Sequence, residues 1–290
     1  MDRLHSRPVT VARVEVRSLG FRTDLMVRRL AGSEVVDRGP YVVARTPRNA
    51  TYYWGNFLLF PSTPGPGDAE RWLALFAEEF PGAGHVAIGI DGTAGDFGEI
   101  SGLRAAGLNP EIQAVMTATT LRAPARLNRD ADFRRLGADD DWEQIIELRR
   151  AIAWEERLSS AEHGAFLVRR TSEARELSGS GRAAYFGAFV DGRLRSWLGL
   201  VADGAGLGRF QHVETHPDHR RRGLASTLVH RAGSYGVRQL GAGKLVIVAD
   251  PGGPAVGIYR SLGFVEIERQ AQLTKAMRSS PADGAAERTP

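Results

Sequence analysis

The 290-residue sequence predicts a mixed α/β fold, an α+β arrangement of two units in tandem, each a mixed β-sheet flanked by helices. Two observations favour this fold. Short apolar runs that are typical of strands alternate with segments whose apolar residues recur at helical spacing. A strand followed by a loop and a helix also occurs in both halves, on either side of a small-residue and charged stretch at residues 123–131.

The first unit is predicted over residues 21–122, after a polar N-terminal arm at residues 1–20. A helix begins at Asp68, because Trp72 and Phe76 repeat on one face, and a short helix ends at Gly107. Strand-like runs lie at residues 24–32, 40–46, 52–60, 85–91 and 114–121. The aromatic run Tyr52-Tyr53-Trp54 fits either a cleft between the units or a core.

The second unit is predicted over residues 132–278, after a linker at 123–131 and before a disordered tail at 279–290. Asp191-Gly192 predicts a tight hairpin, since both residues tolerate a positive φ. The predicted strands are residues 133–136, 183–191, 193–203, 209–217, 244–250 and 265–277. The predicted helices are residues 140–158, 160–179, 221–237 and 253–264.

Composition limits the possible functions. The net charge of +4 is modest for this length and does not favour nucleic acid as a partner. The chain has no cysteine, which excludes disulfides, thiolate metal sites and a cysteine acyl-enzyme. No apolar run is long enough to span a bilayer, and the start of the chain does not resemble a signal peptide. We therefore expect a cytoplasmic protein with no membrane partner.

Three consecutive arginines, Arg220 to Arg222, precede Gly223 at the start of a predicted helix. The first amide N–H groups of a helix lack acceptors and carry a partial positive charge, so they can bind a phosphate. Gly223 would let the backbone approach such an anion, and the small Ala225 would leave room for it. A solvated loop is the simpler alternative, since adjacent guanidinium groups repel one another.

The pattern Arg220-x-x-Gly223-x-Ala225, after a strand that ends at residues 213–217, resembles the pyrophosphate loop of the GNAT acetyltransferase superfamily. A second signature follows downstream: residues 255–264, AVGIYRSLGF, are similar to the family pattern A-x-x-L-Y-x-x-x-G-F. The resemblance covers roughly residues 132–275. It implies two GNAT-like domains in tandem, each with a splayed sheet, of which the second is an N-acetyltransferase.

The resemblance also implies a donor and its binding residues. Acetyl-CoA would be the acyl donor, and its pantetheine arm would lie between two splayed strands beside Val213 and Thr215. The residues that would hold its diphosphate are Arg220, Arg221, Arg222, Gly223, Leu224, Ala225 and Ser226. An amine would attack the thioester directly, and Tyr259 would give a proton to the CoA thiolate. Packing on a helix face is the alternative for Tyr259.

Other candidate residues are less specific. Strand alternation would turn Glu214 toward the cleft, where it could act as a base, although pairing with an arginine is a common alternative. His212, His216 and His219 have no metal-ligand spacing, so capping or exposure is expected and no metal is predicted. At the position where the family often has a CoA-binding asparagine, this chain has Gly252, which leaves a backbone contact or a shifted loop.

The first unit resembles a degenerate copy of the second. When Pro61 is aligned with Pro217, the three arginine positions become Pro64, Gly65 and Pro66, and an acidic residue, Asp68, follows at the helix start. This loop offers no cation and few N–H groups, so no CoA is expected there. When Gly107 is aligned with Gly263, the tyrosine position becomes Leu103. An unrelated domain is the alternative.

The acceptor is predicted to be a small-molecule amine or a peptide. The resemblance implies that the junction of the first two helices of the second unit borders the acceptor, and Trp154, Glu155 and Glu156 lie there. A charged, solvated helix end is the alternative for these residues. The sequence does not decide between acetyl and longer acyl donors, or between a monomer and a homodimer. A non-catalytic acyl-CoA sensor would keep the loop and would not need Tyr259. A nucleic-acid module is disfavoured, because few aromatic residues lie among the arginines.

Overall fold

The strands of both halves join in one eleven-stranded sheet, with the order β1-β2-β3-β4-β11-β5-β10-β9-β8-β7-β6. The computed structural model describes residues 15–157 and 160–276. The strands are β1 Glu34–Asp37, β2 Val42–Arg45, β3 Phe57–Phe60, β4 His85–Ile90, β5 Asn109–Ala118, β6 Asp132–Arg135, β7 Ala183–Val190, β8 Arg193–Ala202, β9 Leu207–Thr215, β10 Lys244–Ala249 and β11 Val265–Ala276. The helices are α1 Leu19–Leu30, α2 Asp68–Glu79, α3 Ser101–Ala105, α4 Asp139–Glu155, α5 Ala161–Gly179, α6 Leu224–Gln239 and α7 Ala255–Ser261.

The two halves exchange their last strands at the centre of this sheet. β11, from the second half, pairs antiparallel with β4 and β5 of the first half. β5, from the first half, lies between β11 and β10 and is antiparallel to both. The predicted mixed sheet flanked by helices is thus confirmed, and each half completes its neighbour's hydrogen bonding.

The halves also repeat one order of elements. β3, α2, β4, α3 and β5 in the first half correspond to β9, α6, β10, α7 and β11 in the second. Both long helices begin after a glycine in the left-handed region, Gly67 with φ 82° and Gly223 with φ 76°. Gly107 and Gly263, after the short helices, also have positive φ. Glycine reaches this conformation without steric cost, so these four positions support the alignment of the halves made from the sequence.

The strand predicted at residues 24–32 is wrong, because residues 24–30 belong to helix α1 and a turn follows. α1 begins at Leu19, inside the stretch assigned to an arm, and the Ser18 hydroxyl accepts the Phe21 N–H at its N-terminus. Short apolar runs do not distinguish a helix from a strand. Because residues 1–20 were assigned to an arm, the first residues of this helix were not considered together with the rest of it. α1 links the halves, because Asp24 pairs with Arg209 of β9 at 2.9 Å. Most of the predicted arm and the tail lie outside the described residues.

The aromatic run at residues 52–54 divides between the two locations considered. Tyr52 lies between the halves, where the guanidinium carbons of Arg28 and Arg170 are 4.8 and 4.2 Å from its ring centre. Tyr53 stacks on His85 and Trp54 contacts Phe57, both within the first half. The hairpin turn is confirmed, since Asp191 and Gly192 have φ values of 52° and 73°.

Candidate active site

The site begins where β9 and β10 separate. They pair in parallel from Leu207 with Lys244 to Arg209 with Val246, and no pairing follows although β9 continues to Thr215. His212 has φ 53°, and the register between β8 and β9 shifts beside it. A β-bulge of this kind bends its strand, so the splayed strands that the family resemblance implied are present in the second half. In the first half β3 and β4 pair to their last residues, so the splay expected there is absent.

A cavity of 790 Å³ occupies the gap, and we call it the acyl cavity. It brings together most of the residues that the sequence singled out. From the loop and helix α6 these are Arg220, Arg221, Gly223, Leu224, Ala225 and Ser226, and from β9 they are Val213, Glu214 and Thr215. Tyr259 of α7 also lines the cavity, as do Ile152 of α4 and Glu156 after it.

One edge of β9 faces the cavity with free backbone groups. The Glu214 carbonyl accepts the Ser196 hydroxyl at 2.8 Å, and the His216 N–H donates to the Arg195 carbonyl at 2.8 Å, both on the β8 side. Because backbone groups alternate along a strand, those of Val213 and Thr215 point to the other side, into the gap. An extended amide chain can therefore pair with them as β10 would have done.

The loop before α6 has the form of an anion cradle. Arg221 has φ 61°, and Gly223 is the residue before the first turn of α6. The N–H groups of Leu224 and Ala225 lie in that first turn, where no carbonyl of the helix reaches them. A phosphate placed there would meet free N–H groups, the positive end of the helix and the side chains of the loop.

Two details of this loop differ from the expectation. A Cβ on Gly223 would lie 3.3 Å from the Arg126 carbonyl, so this glycine makes room for the preceding connection, and its positive φ forms the turn. Arg222 does not line the acyl cavity, and its carbonyl accepts a hydrogen bond from the Asn128 amide at 2.8 Å. The segment before the second half therefore braces the loop, which the sequence did not indicate.

Arg220 is held by the end of helix α4. Its guanidinium lies 2.6 Å from a carboxylate oxygen of Glu155, and both side chains are about half exposed. An ion pair this exposed is worth at most about 1 kcal/mol, so a phosphate can replace the carboxylate. The pair also brings the acidic junction predicted to border the acceptor against the predicted phosphate site.

Tyr259 is buried, with 4% of its surface exposed, yet it lines the acyl cavity. Burial raises the pKa of Tyr259 to about 12, so the phenol carries its proton at neutral pH. Within the described residues its hydroxyl makes no hydrogen bond, and its ring packs against Phe264 with centres 6.1 Å apart. The hydroxyl is available to donate to a group in the cavity.

Glu214 lines the cavity but is already engaged. One oxygen of its carboxylate accepts the Trp197 indole N–H at 2.8 Å and lies 3.2 Å from Nε of Arg149. The arginine partner considered from the sequence is therefore present. Because that oxygen is already engaged by two donors, only the other carboxylate oxygen is left to face an amine in the cavity, which weakens the case for Glu214 as a base.

Gly252 lies outside the acyl cavity. Its N–H donates to Oδ1 of Asp250 at 2.9 Å, so the backbone contact with CoA predicted at this residue has no free donor.

Two of the histidines lie in different surroundings. The His216 ring accepts the Asp218 N–H in a local cap, whereas His219 lines the acyl cavity with its Nδ1 buried and unpaired among the described residues. Burial and nearby Arg195 lower the pKa of His219, which keeps the imidazole neutral.

No helix in the described ranges is long and apolar enough to cross a membrane. Residues 15–157 and 160–276 also contain no cluster of three or more His, Asp or Glu side chains arranged to hold a metal ion.

Comparison with known proteins agrees with this geometry. Residues 189–273 match the family model described as FR47-like protein. The mycothiol acetyltransferase of Mycolicibacterium vanbaalenii is 23% identical over 141 residues, which are 49% of this chain and 46% of that protein. The match thus spans about half the length of that curated relative.

Two solved structures share the whole architecture. A functionally unknown conserved protein from Staphylococcus epidermidis has a TM-score of 0.62 at 12% identity, covering 86% of this chain and 96% of the other. A GCN5-related N-acetyltransferase from Kribbella flavida has a TM-score of 0.60 at 16% identity, covering 89% and 95%. At this identity the two structures show the fold alone. The family match covers the loop, the splayed strands and the tyrosine helix, and together with the shared fold it supports the GNAT superfamily that the sequence motifs indicated.

Proposed function

We propose that this chain transfers an acetyl group from acetyl-CoA to an amine acceptor by direct attack, with the reacting groups held in the second half. The observation that carries the proposal is the acyl cavity. It has an anion cradle at one end, a free strand edge along its length and a protonated tyrosine on its wall. These three features suit, in order, a diphosphate, a chain of amides and a leaving thiolate.

The residues divide the binding of the donor among them. The first turn of α6 and the side chains of Arg220 and Arg221 would bind the diphosphate. The backbone groups of Val213 and Thr215 would replace water on the amides of the pantetheine arm. Holding the donor at both ends leaves its thioester at a fixed place in the cavity, which lowers the entropic cost of the attack.

In the transfer step, the neutral amine nitrogen forms a bond with the thioester carbonyl carbon and loses a proton. The carbon–sulfur bond then breaks, the proton released from the nitrogen passes to water, and the thiolate takes a proton from water, giving an amide and free CoA. With a pKa of about 12, Tyr259 is a weaker acid than an ordinary thiol, whose pKa is about 8.5. Burial also raises the proton affinity of a thiolate beside it. Tyr259 therefore acts first as a hydrogen-bond donor to the departing sulfur.

The experiment combines thermal unfolding of the full chain with acetyl-CoA and mass spectrometry of an amine and peptide library. We expect acetyl-CoA to raise the melting temperature and at least one amine to gain an acetyl group. Absence of stabilisation would contradict the proposal. Stabilisation with no acetylated product from any amine would favour an acyl-CoA sensor.

A further inference from the structure

A second cavity lies beside the acyl cavity and contains an arginine with no counter-ion. This cavity of 320 Å³, which we call the Arg195 cavity, lies between helix α4 and the beginning of β8. Its walls include Gln144, Glu147 and Leu148 from α4, Arg193 and Arg195 from β8, and His216.

Charges at this cavity do not balance. Arg193 lies 3.5 Å from Glu147, and this exposed pair is neutral as a whole. Arg195 has no hydrogen-bond acceptor or ion-pair partner for its guanidinium within residues 15–157 and 160–276, and its Nε is buried and unpaired. Burial and the Arg195 charge lower the pKa of His216, so its imidazole stays neutral. One positive charge is therefore left over.

A β-bulge in β8, opposite β7, sets the direction of the Arg195 side chain. Ser196 pairs with Ala188 and Leu194 pairs with Phe189, so Arg195 is an extra residue with no partner in β7. Bulges leave a residue unpaired and redirect its side chain, and they are frequent beside active sites. A guanidinium presented in this way matches a carboxylate, which can accept two parallel hydrogen bonds from it.

The two cavities are neighbours along α4. Leu148 lines the Arg195 cavity and Ile152, four residues later on the same face, lines the acyl cavity. At the end of β9 the two cavities are one residue apart, since Thr215 lines the acyl cavity and His216, the next residue, lines the Arg195 cavity. One helical turn is about 5.4 Å long, so one to two turns separate points in the two cavities. A molecule that reaches both cavities therefore has the group bound in one about 5 to 11 Å from the group bound in the other.

We propose that Arg195 binds a carboxylate of the acceptor while its amine reacts in the acyl cavity. This inference rests on the proposed function and names the class of substrate: a small amine that also carries a carboxylate about one to two helical turns away. A dipeptide fits, because two extended residues span about 7 Å between its N-terminal amine and its C-terminal carboxylate. Glu156 at the acyl cavity suits the amine end of such a molecule.

The test is calorimetric titration of the full chain, first with CoA and then, when CoA is saturating, with matched probes. The pairs are alanyl-alanine with its C-terminal amide, and lysine with cadaverine, so that each pair differs in the carboxylate. We expect at least one acid to bind about ten- to a hundred-fold more tightly than its mate, as for hydrogen bonds to a charged group. Arg195→Gln should remove that preference and Arg195→Lys should keep part of it.

Arg193→Gln is the matched control, because it removes a neighbouring charge that already has a partner, and it should keep the preference. Equal or undetectable binding of both members in every pair overturns the inference, as does a preference that survives in Arg195→Gln. The first titration separates the two proposals. If the wild-type chain does not bind CoA, the proposed function fails. If it binds CoA but shows no preference for the acids, this inference alone fails.

Discussion

The two halves of the chain share one order of elements but differ at the place where a cofactor would bind. In the second half, β9 and β10 stop pairing after Arg209 and Val246, and the acyl cavity opens beyond them. In the first half, β3 and β4 pair to their last residues, Phe60 with Ile90, and the Asp91 N–H still donates to the Phe60 carbonyl at 2.8 Å.

The first half is also closed by its loops and side chains. Arg17 donates to the carbonyls of Pro61 and Asp91 and so bridges the ends of β3 and β4. Glu99 N–H donates to the Pro64 carbonyl, and a Cβ on Gly98 would lie 2.6 Å from Cβ of Thr63. The same order of elements therefore gives a cavity of 790 Å³ between separated strands in the second half and one of 280 Å³ beside paired strand ends in the first.

Charge reversal in the loop should have the largest effect on this difference. In the variant Arg220→Glu with Arg221→Glu, two attractive contacts with the diphosphate become repulsive. Loss of two charge-assisted hydrogen bonds alone corresponds to about 3–6 kcal/mol, or a hundred-fold or more in affinity for acetyl-CoA. Calorimetric titration with acetyl-CoA would measure the affinity of the variant and of the wild-type chain. Arg150→Glu with Arg238→Glu, both exposed, is the control of equal charge, and equal affinity in the two variants would place the site elsewhere.

Tyr259→Phe should lower turnover and leave donor affinity nearly unchanged. The substitution keeps the ring's packing and removes the hydroxyl that would hydrogen-bond the departing sulfur. Loss of general acid catalysis typically costs about a hundred- to ten-thousand-fold, and the lower end is expected here because water can protonate the thiolate. Because the pKa of Tyr259 is about 12, its donor form persists across the range where an ordinary tyrosine ionises. The wild-type rate should therefore show no loss up to about pH 10 from this group.

This prediction needs an acceptor that the wild-type chain acetylates, with thiol release followed against pH in both proteins. If the phenylalanine variant keeps full turnover at every pH, Tyr259 is a packing residue.

The corresponding position in the first half should affect stability alone. Leu103 is fully buried among the core side chains there. Leu103→Ala leaves a cavity and should lower the free energy of unfolding by about 2–5 kcal/mol, measured by urea denaturation. Turnover measured well below the melting temperature should not change. A loss of turnover comparable to that of Tyr259→Phe would show that the first half takes part in the chemistry.

The smallest effect is expected at the bulge. His212 has φ 53°, and Arg170 and Trp197 hold its ring by a 3.1 Å hydrogen bond and by stacking. A β-branched residue is strained at this φ by about 1–2 kcal/mol, so His212→Val should weaken acetyl-CoA binding several-fold. His212→Gly keeps the backbone conformation and is the control. Weaker binding in the glycine variant than in the valine variant would contradict a role for the bulge.

The sequence predicted the parts of the site that are local. The loop from Arg220 to Ala225 and the helix with Tyr259 each lie within about ten residues, where turn chemistry and helical spacing are readable. The helices other than α1 and most strands were found for the same reason.

Contacts between distant residues were not predictable in this way. The exchange of β5 and β11 joins residues far apart in the sequence, as in the pairing of Asn109 with Thr274. The Glu155–Arg220 pair and the grip of Arg149 and Trp197 on Glu214 also depend on how helices pack on the sheet. No local pattern carries that information.

The number of CoA molecules bound per chain tests the central claim most directly, which is that the second half alone holds the cofactor. Calorimetric titration of the full chain should give one site, and that site should disappear in the Arg220→Glu with Arg221→Glu variant. β3 and β4 pair to their last residues, so no gap opens between them for a pantetheine arm, and the cavity of 280 Å³ at their ends is lined by Asp91 and Asp96 as well as by Arg17. A stoichiometry of two, or one site that survives charge reversal, would contradict the account.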